Sequence, residues 1–177
     1  MPYVRPMITA IIETGNEELS LARALAALVP AATEGVIRDV IVIDRGSQDA
    51  TRKVADAAGC TVIDASVESD ATRAAVERAR GDWLLFSRAS HIFAPEWQAE
   101  AMAFIDRALT GGRAQKVSAT FRGGRLTSGP LTWLRGMMRG GSSARLVAKS
   151  AWLAEMSQTS APASEASPVS GARRGAA

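Results

Sequence analysis

Residues 81–97 read GDWLLFSRASHIFAPEW, and the fold turns on how that stretch is parsed. Trp83 to Phe86 is a short, wholly apolar run, bounded by Gly81-Asp82 on one side and Ser87 on the other. Runs of that length and character are strands buried on both faces, the kind a parallel sheet uses. Ser87, Arg88, Ala89, Ser90 and His91 follow, and Pro95 then opens the helical stretch APEWQAEAMAFIDRAL. Ligands of open α/β sheets gather just past the strands' carboxyl ends. The lone Arg88 therefore stands where chemistry is expected.

Working outward, the same alternation recurs on both sides. Met7–Ile12 (MITAII) and the segment VIRDVIVID ending at Asp44 read as two further buried strands, and CTVID as a short third. Between them lie helical patterns. In TGNEELSLARALAALVP, Thr14 and Glu17 have capping-box spacing, Leu21, Leu25 and Leu28 repeat helically, and Pro30 is expected beyond the end. RGSQDATRKVADAAG predicts a turn, a Ser47 cap, a helix and a Gly59 stop. SDATRAAVERARG predicts a helix whose Ala71, Ala74, Ala75 and Ala79 form a small-residue face suited to lying on a sheet. KVSATF reads as a fifth strand in the order. Strand and helix alternating in this way predict one α/β domain, over roughly residues 5–155, with a largely parallel sheet flanked by helices.

Beyond Arg122 the signals are mixed. GPLTWLRGMMRGG suits a short amphipathic helix, and SARLVAKSAWLAEM suits a strand, a helix or one after the other. From Ser157 to Ala177 the chain is small, polar and proline-bearing, a composition predicted to be disordered because it buries too little apolar surface.

Composition narrows the function classes. A chain with 47% hydrophobic and 22% charged residues is that of a soluble globular domain, expected in the cytoplasm. One cysteine, Cys60, excludes an intrachain disulfide and is expected to be a buried, inert thiol. No signal peptide or membrane span is predicted. The formal charge of +3 is unevenly spread. No acidic residue falls between Asp106 and Glu155, whereas Arg107, Arg113, Lys116, Arg122, Arg125, Arg135, Arg139, Arg145 and Lys149 do. That basic field suits phosphate-bearing ligands or the anionic inner face of a membrane. With few aromatic residues for stacking it argues against nucleic acid.

The loops at the strands' carboxyl ends supply the candidate site residues. They are Glu13, Thr14 and Asn16; Asp44, Arg45, Gly46 and Ser47; and Arg88, Ser90 and His91. Neither a Walker-type loop nor a G-x-G-x-x-G stands among them, which argues against P-loop hydrolases and dinucleotide dehydrogenases. His91 is a candidate general base, since the unperturbed pKa of a histidine suits that task, but no partner is evident in the sequence. Asp49 and Asp82 read as capping or turn residues.

In order and spacing, ITAIIETGNEE, VIVIDRGSQDAT and ARGDWLLFSRAS, with the helix-opening Pro95-Glu96-Trp97, resemble the family 2 glycosyltransferases of the GT-A (Rossmann-like) fold. The likeness covers Ile8 to Ile105 well, with an echo to about Glu155. It implies sugar transfer from a nucleotide diphosphate donor, in a setting such as bacterial envelope polysaccharide or glycolipid synthesis. On that resemblance Thr14 lines the nucleotide pocket with Glu13 nearby, and Asp44 sits at its edge. Arg45 replaces the family's second aspartate. The family's metal-binding Asp-x-Asp aligns with Arg88-Ala89-Ser90, so no metal ligand set and no other cofactor is expected. GSSARLVAK echoes a later family segment with Ser142 at an aspartate position, and the Glu-Asp that supplies the base has no counterpart. The chain thus resembles a degenerate, carboxy-terminally shortened relative.

Two readings of the arginines and three of the function stay open at this level. Arg45 and Arg88, expected at neighbouring strand ends, clamp a diphosphate in place of the metal; or they are solvated, or paired with Glu13 and Asp44. The protein is accordingly a metal-independent transferase with Arg88 and His91 as catalytic candidates, or a non-catalytic relative that binds a nucleotide sugar or a protein partner. A basic membrane-surface scaffold using the Trp133–Arg139 region is the remaining alternative.

Overall fold

The structure, a computed structural model, describes residues 7–68, 70–111, 118–122, 125–128 and 143–159. The elements run β1 (Ile8–Thr14), α1 (Glu18–Thr33), β2 (Ile37–Asp44), α2 (Thr51–Ala57), β3 (Thr61–Asp64), α3 (Ala71–Arg78), β4 (Trp83–Arg88), α4 (Trp97–Thr110), β5 (Ser118–Arg122), β6 (Arg125–Ser128), β7 (Ser143–Ala148) and α5 (Lys149–Thr159). They build one α/β sheet of seven strands in the order β3-β2-β1-β4-β7-β5-β6. The first four strands are mutually parallel, as the buried apolar runs predict. Beyond β4 the sheet turns antiparallel through β7, β5 and β6. The expected largely parallel sheet is therefore its amino-terminal half. The antiparallel extension comes from the region where sequence periodicity was weakest.

Each face of the sheet buries its own helices. Ile8, Ala10 and Ile12 of β1 join Leu85 of β4 under α1 and α4, which contribute Leu21, Ala24 and Leu28 and Trp97, Ala101, Phe104 and Ile105. Trp83 meets Phe104 edge-on at 6.0 Å between centroids. On the other face Ile11, Ile41, Ile43 and Phe86 lie under α3 and α5. There Trp152 of α5 stacks on Phe86, with centroids 6.5 Å apart. Ala71 and Ala75 of α3 and Ala79 just past its end are buried against this face, as the small-residue pattern predicts, and Ala74 is partly buried there.

Three local expectations are corrected. Thr14 does not cap α1: it is the last residue of β1 and only 2% exposed. The amino end of α1 is instead capped from another loop. Glu17 N–H donates to Thr51 Oγ1 at 3.0 Å and Glu18 N–H to Asp49 Oδ2 at 3.3 Å. Pro30 lies inside α1, in its last turn, because a proline φ fits a helix and costs one backbone bond there. The stop is Gly35, at φ 71°, where Val36 N–H closes on Ala31 O at 2.8 Å. Ser47 is not the cap of α2, whose N-cap is Ala50. Gly59, at φ 72°, does end α2 as predicted.

SARLVAKSAWLAEM resolves into β7 followed by α5, which runs to Thr159, three residues into the stretch expected to be disordered. The amphipathic segment at 129–141 and the remainder of the tail, from 160, lie outside the described residues. Among the described residues no helix is long and apolar enough to cross a membrane.

Candidate functional site

The parallel register brings three of the predicted residues to one rim. Glu13 of β1 pairs with Arg88 of β4 on one side and with Ile43 of β2 on the other. Side chains alternate along a strand. Glu13 therefore lies on the face of Ile11, and Arg88 on the face of Phe86, both over α3 and α5. Arg45, just past Ile43 and Asp44, joins them by an ion pair from its Nε to Glu13 Oε1. Glu13 is 8% exposed, whereas the Arg45 side chain is 66% exposed. Arg88 is exposed and forms no ion pair with another described residue. Arg45 and Arg88 are thus not on neighbouring strands, as expected, but flank β1 with Glu13 between them.

Thr14 and Asp44 point the other way, onto the face of Ile12 and Val42, and both are closed off from solvent. Asp44, fully buried, accepts both the N–H and the hydroxyl of Ser47 and faces Arg52 Nε at 3.6 Å. Arg52 also bonds Asp64 at 2.9 Å. The hydroxyl of Thr14 is buried with no hydrogen-bond partner among the described residues, as is that of Ser87. Arg52 was invisible to the sequence reading because it serves carboxylates on two different strands and belongs to no short motif.

Two loops that frame the rim are stapled together. Asn16, at φ 55°, donates its N–H to Ser47 Oγ at 2.9 Å and accepts Gln48 N–H on Oδ1 at 2.8 Å. Asp49 accepts Thr51 N–H at 3.0 Å besides that of Glu18. Its carboxyl is held below the ordinary aspartate value of 3.8, the Thr51 side chain being the main cause. Asp64 is lowered likewise, chiefly by the Ser66 hydroxyl. Asp49 thus caps, as expected. The backbone carbonyl of Asp82 accepts Lys149 N–H at 2.8 Å, tying β4's entry to α5.

His91 is not the exposed loop residue its isolation suggested. It is 5% exposed and lies edge-on to Phe93 at 4.7 Å. Phe93 in turn packs on Trp97, at 5.3 Å, within the core under α1 and α4. The His91 ring thus packs towards the opposite face, while its backbone N–H donates to the Arg88 carbonyl at 3.0 Å. Arg145 of β7, directly across from Phe86, is a further cation on the rim's face. It is only 8% exposed, and burial pushes its guanidinium down to about 10, against the pull of Glu155.

The sequence profile described as Glycosyl transferase family 2 matches residues 9–150, from β1 through β7. The chain belongs to glycosyltransferase family 2. Among solved structures, glucosyl-3-phosphoglycerate synthase from Mycobacterium tuberculosis in complex with uridine diphosphate is similar, with TM-score 0.53 and 19% identity over 81% of this chain and 57% of that one. Mannosyl-3-phosphoglycerate synthase from Rubrobacter xylanophilus aligns with TM-score 0.48 and 21% identity, covering 59% of this chain and 37% of that one. The first of these likenesses supports the fold. The chain spans only 37% to 57% of the length of these two structures. A comparison with curated proteins finds no match.

Membership of the family raises the question of its divalent metal. Hard cations need oxygen ligands, usually including carboxylates. At the family's Asp-x-Asp position this chain has Arg88, exposed; Ala89, 2% exposed; and Ser90. The nearby carboxylates are already engaged: Glu13 by Arg45, Asp44 by Arg52 and Ser47, Asp64 by Arg52 and Ser66. Residues 112–142 contain neither aspartate nor glutamate. Among the described residues, those at this rim do not fit a metal held in the family's manner.

Proposed function

We propose that the protein binds a nucleotide-sugar donor at the carboxyl ends of β1, β2 and β4 and transfers its sugar to an acceptor hydroxyl. The observation that carries this reading is the match of the family profile across residues 9–150, the same span that builds the sheet and its rim. The rim supports it chemically. An exposed guanidinium, Arg88, stands across β1 from the Glu13-paired Arg45, at the place where α/β sheets take ligands. The neighbour glucosyl-3-phosphoglycerate synthase is described in complex with uridine diphosphate, in keeping with a donor of that class. We assign the acceptor to envelope polysaccharide or glycolipid on the family resemblance alone, and place the protein on the cytoplasmic side of the membrane on the same basis.

A second reading is favoured by one observation: among the described residues, the carboxylates at the ends of β1 and β2, Glu13 and Asp44, are tied to internal cations or hydroxyls, so neither stands ready as a general base. In that reading the protein binds the donor without turning it over. The two are separated by one experiment. Purified protein is incubated with labelled UDP-, GDP- and dTDP-sugars, following melting temperature and labelled product together. Stabilisation with product supports transfer, and stabilisation without product supports the binding reading. No stabilisation by any donor contradicts both.

A further inference from the structure

We infer that the donor's diphosphate is held by Arg88 and Arg45 directly, with Glu13 as the buried counter-charge that positions Arg45, and without a bridging metal; this rests on the donor-binding reading above. Glu13 lies between the two arginines, in register with Arg88 and ion-paired to Arg45 through Nε. That geometry leaves the η nitrogens of Arg45 outside the recorded pair, on a side chain 66% exposed. β2 and β4 are each one strand removed from β1, so the two arginine backbones stand roughly 10 Å apart. Two long side chains converging from that separation span a diphosphate comfortably. Each guanidinium offers a planar fork of donors matched to phosphate oxygens.

The charge count points the same way. Arg45 is neutralised by Glu13, Asp44 and Asp64 share Arg52, Arg145 lies within the pull of Glu155, and Arg88 forms no ion pair with another described residue. A doubly charged metal beside it would meet repulsion, whereas a diphosphate meets attraction. Glu13 also accounts for its own burial. A carboxylate 8% exposed needs a partner, and by taking the Nε of Arg45 it fixes that side chain at the rim instead of letting it wander into solvent.

The test is calorimetric titration of the full chain with uridine diphosphate, guanosine diphosphate and inorganic pyrophosphate, each in EDTA and in manganese. The inference expects binding in EDTA that manganese strengthens by less than about twofold, since no ligand set receives the ion. Arg88→Ala is expected to weaken it roughly tenfold to a hundredfold, the worth of a charge-assisted contact. Arg88→Lys should fall between, keeping charge but losing the fork. Arg88 is exposed and makes no ion pair with another described residue, so an unchanged melting temperature shows that these variants remain folded. Arg38→Ala, an exposed arginine at the amino end of β2, should bind as the parent does. Binding that appears only with manganese, or that is indifferent to Arg88→Ala, overturns the inference while leaving the donor reading standing. Pyrophosphate binding through Arg88 with no nucleotide binding would keep the clamp and sink the donor reading. No binding of any probe in either condition sinks both.

Discussion

Cys60 and Gly81 show how much a single position is constrained by its surroundings. Cys60 sits half-buried at the entry to β3, and burial, helped by the charge of Asp56, pushes its thiol up to about 11. The thiolate is the reactive form. Alkylation by iodoacetamide at neutral pH should therefore be far slower than for a free cysteine, rising as the pH approaches that value; rapid labelling at pH 7 would show the thiol to be differently placed. Gly81 has no room for a side chain. A Cβ there would stand 2.6 Å from Thr9 N and 2.7 Å from Met7 O, both backbone atoms. Its N–H donates to Thr9 Oγ1 at 2.8 Å, which locks the entry of β4 to β1. Gly81→Ala should cost about 1–3 kcal/mol or more in urea unfolding, the usual scale of overpacking.

At the scale of the element, the structure depends on contacts between loops that local spacing does not reveal. Thr51, fully buried at the start of α2, accepts the Glu17 N–H that opens α1, 34 residues away. Thr51→Val preserves shape but leaves that N–H without an acceptor, and should cost about 1–3 kcal/mol. A stability equal to the parent's would show that water replaces the bond. The same staple explains which readings survived. The strands β1, β2 and β4 were legible as apolar runs, and the Gly59 stop followed from local chemistry. The start of α1 was not legible. Thr14 and Glu17 have the spacing of a capping box, but tertiary contacts from Asp49 and Thr51 supply the caps, and Thr14 is drawn into the strand. Likewise Arg45, Arg88 and Glu13 could be picked out as rim residues, but not their arrangement. Strand order, with β1 between β2 and β4, is what puts the acid between the two bases.

For the molecule as a whole, two packed faces carry the stability and one rim carries the charge. Phe104, 5% exposed, joins the larger core and meets Trp83 edge-on. Phe104→Ala should cost about 3–5 kcal/mol in chemical denaturation, since the sheet and α1 hold the cavity open. Acid acts through the rim and its loops. Asp49 and Asp64 have folded-state pKa values below the ordinary 3.8, so the fold binds fewer protons there than the unfolded chain does. Their contribution is complete at pH values above 3.8 and is lost as pH falls through the lower folded values. A melting temperature that stays level between pH 7 and 5 and drops below about 4 is expected; one that rises on acidification would contradict the assignment. The most direct test of the central claim is a crystal structure with uridine diphosphate, grown in manganese and measured at the manganese absorption edge. The claim predicts diphosphate oxygens within hydrogen-bonding distance of Arg88 and Arg45, and no anomalous peak coordinated between the diphosphate and the protein. A manganese ion ligated there by protein oxygens, with Arg88 turned away, would contradict it.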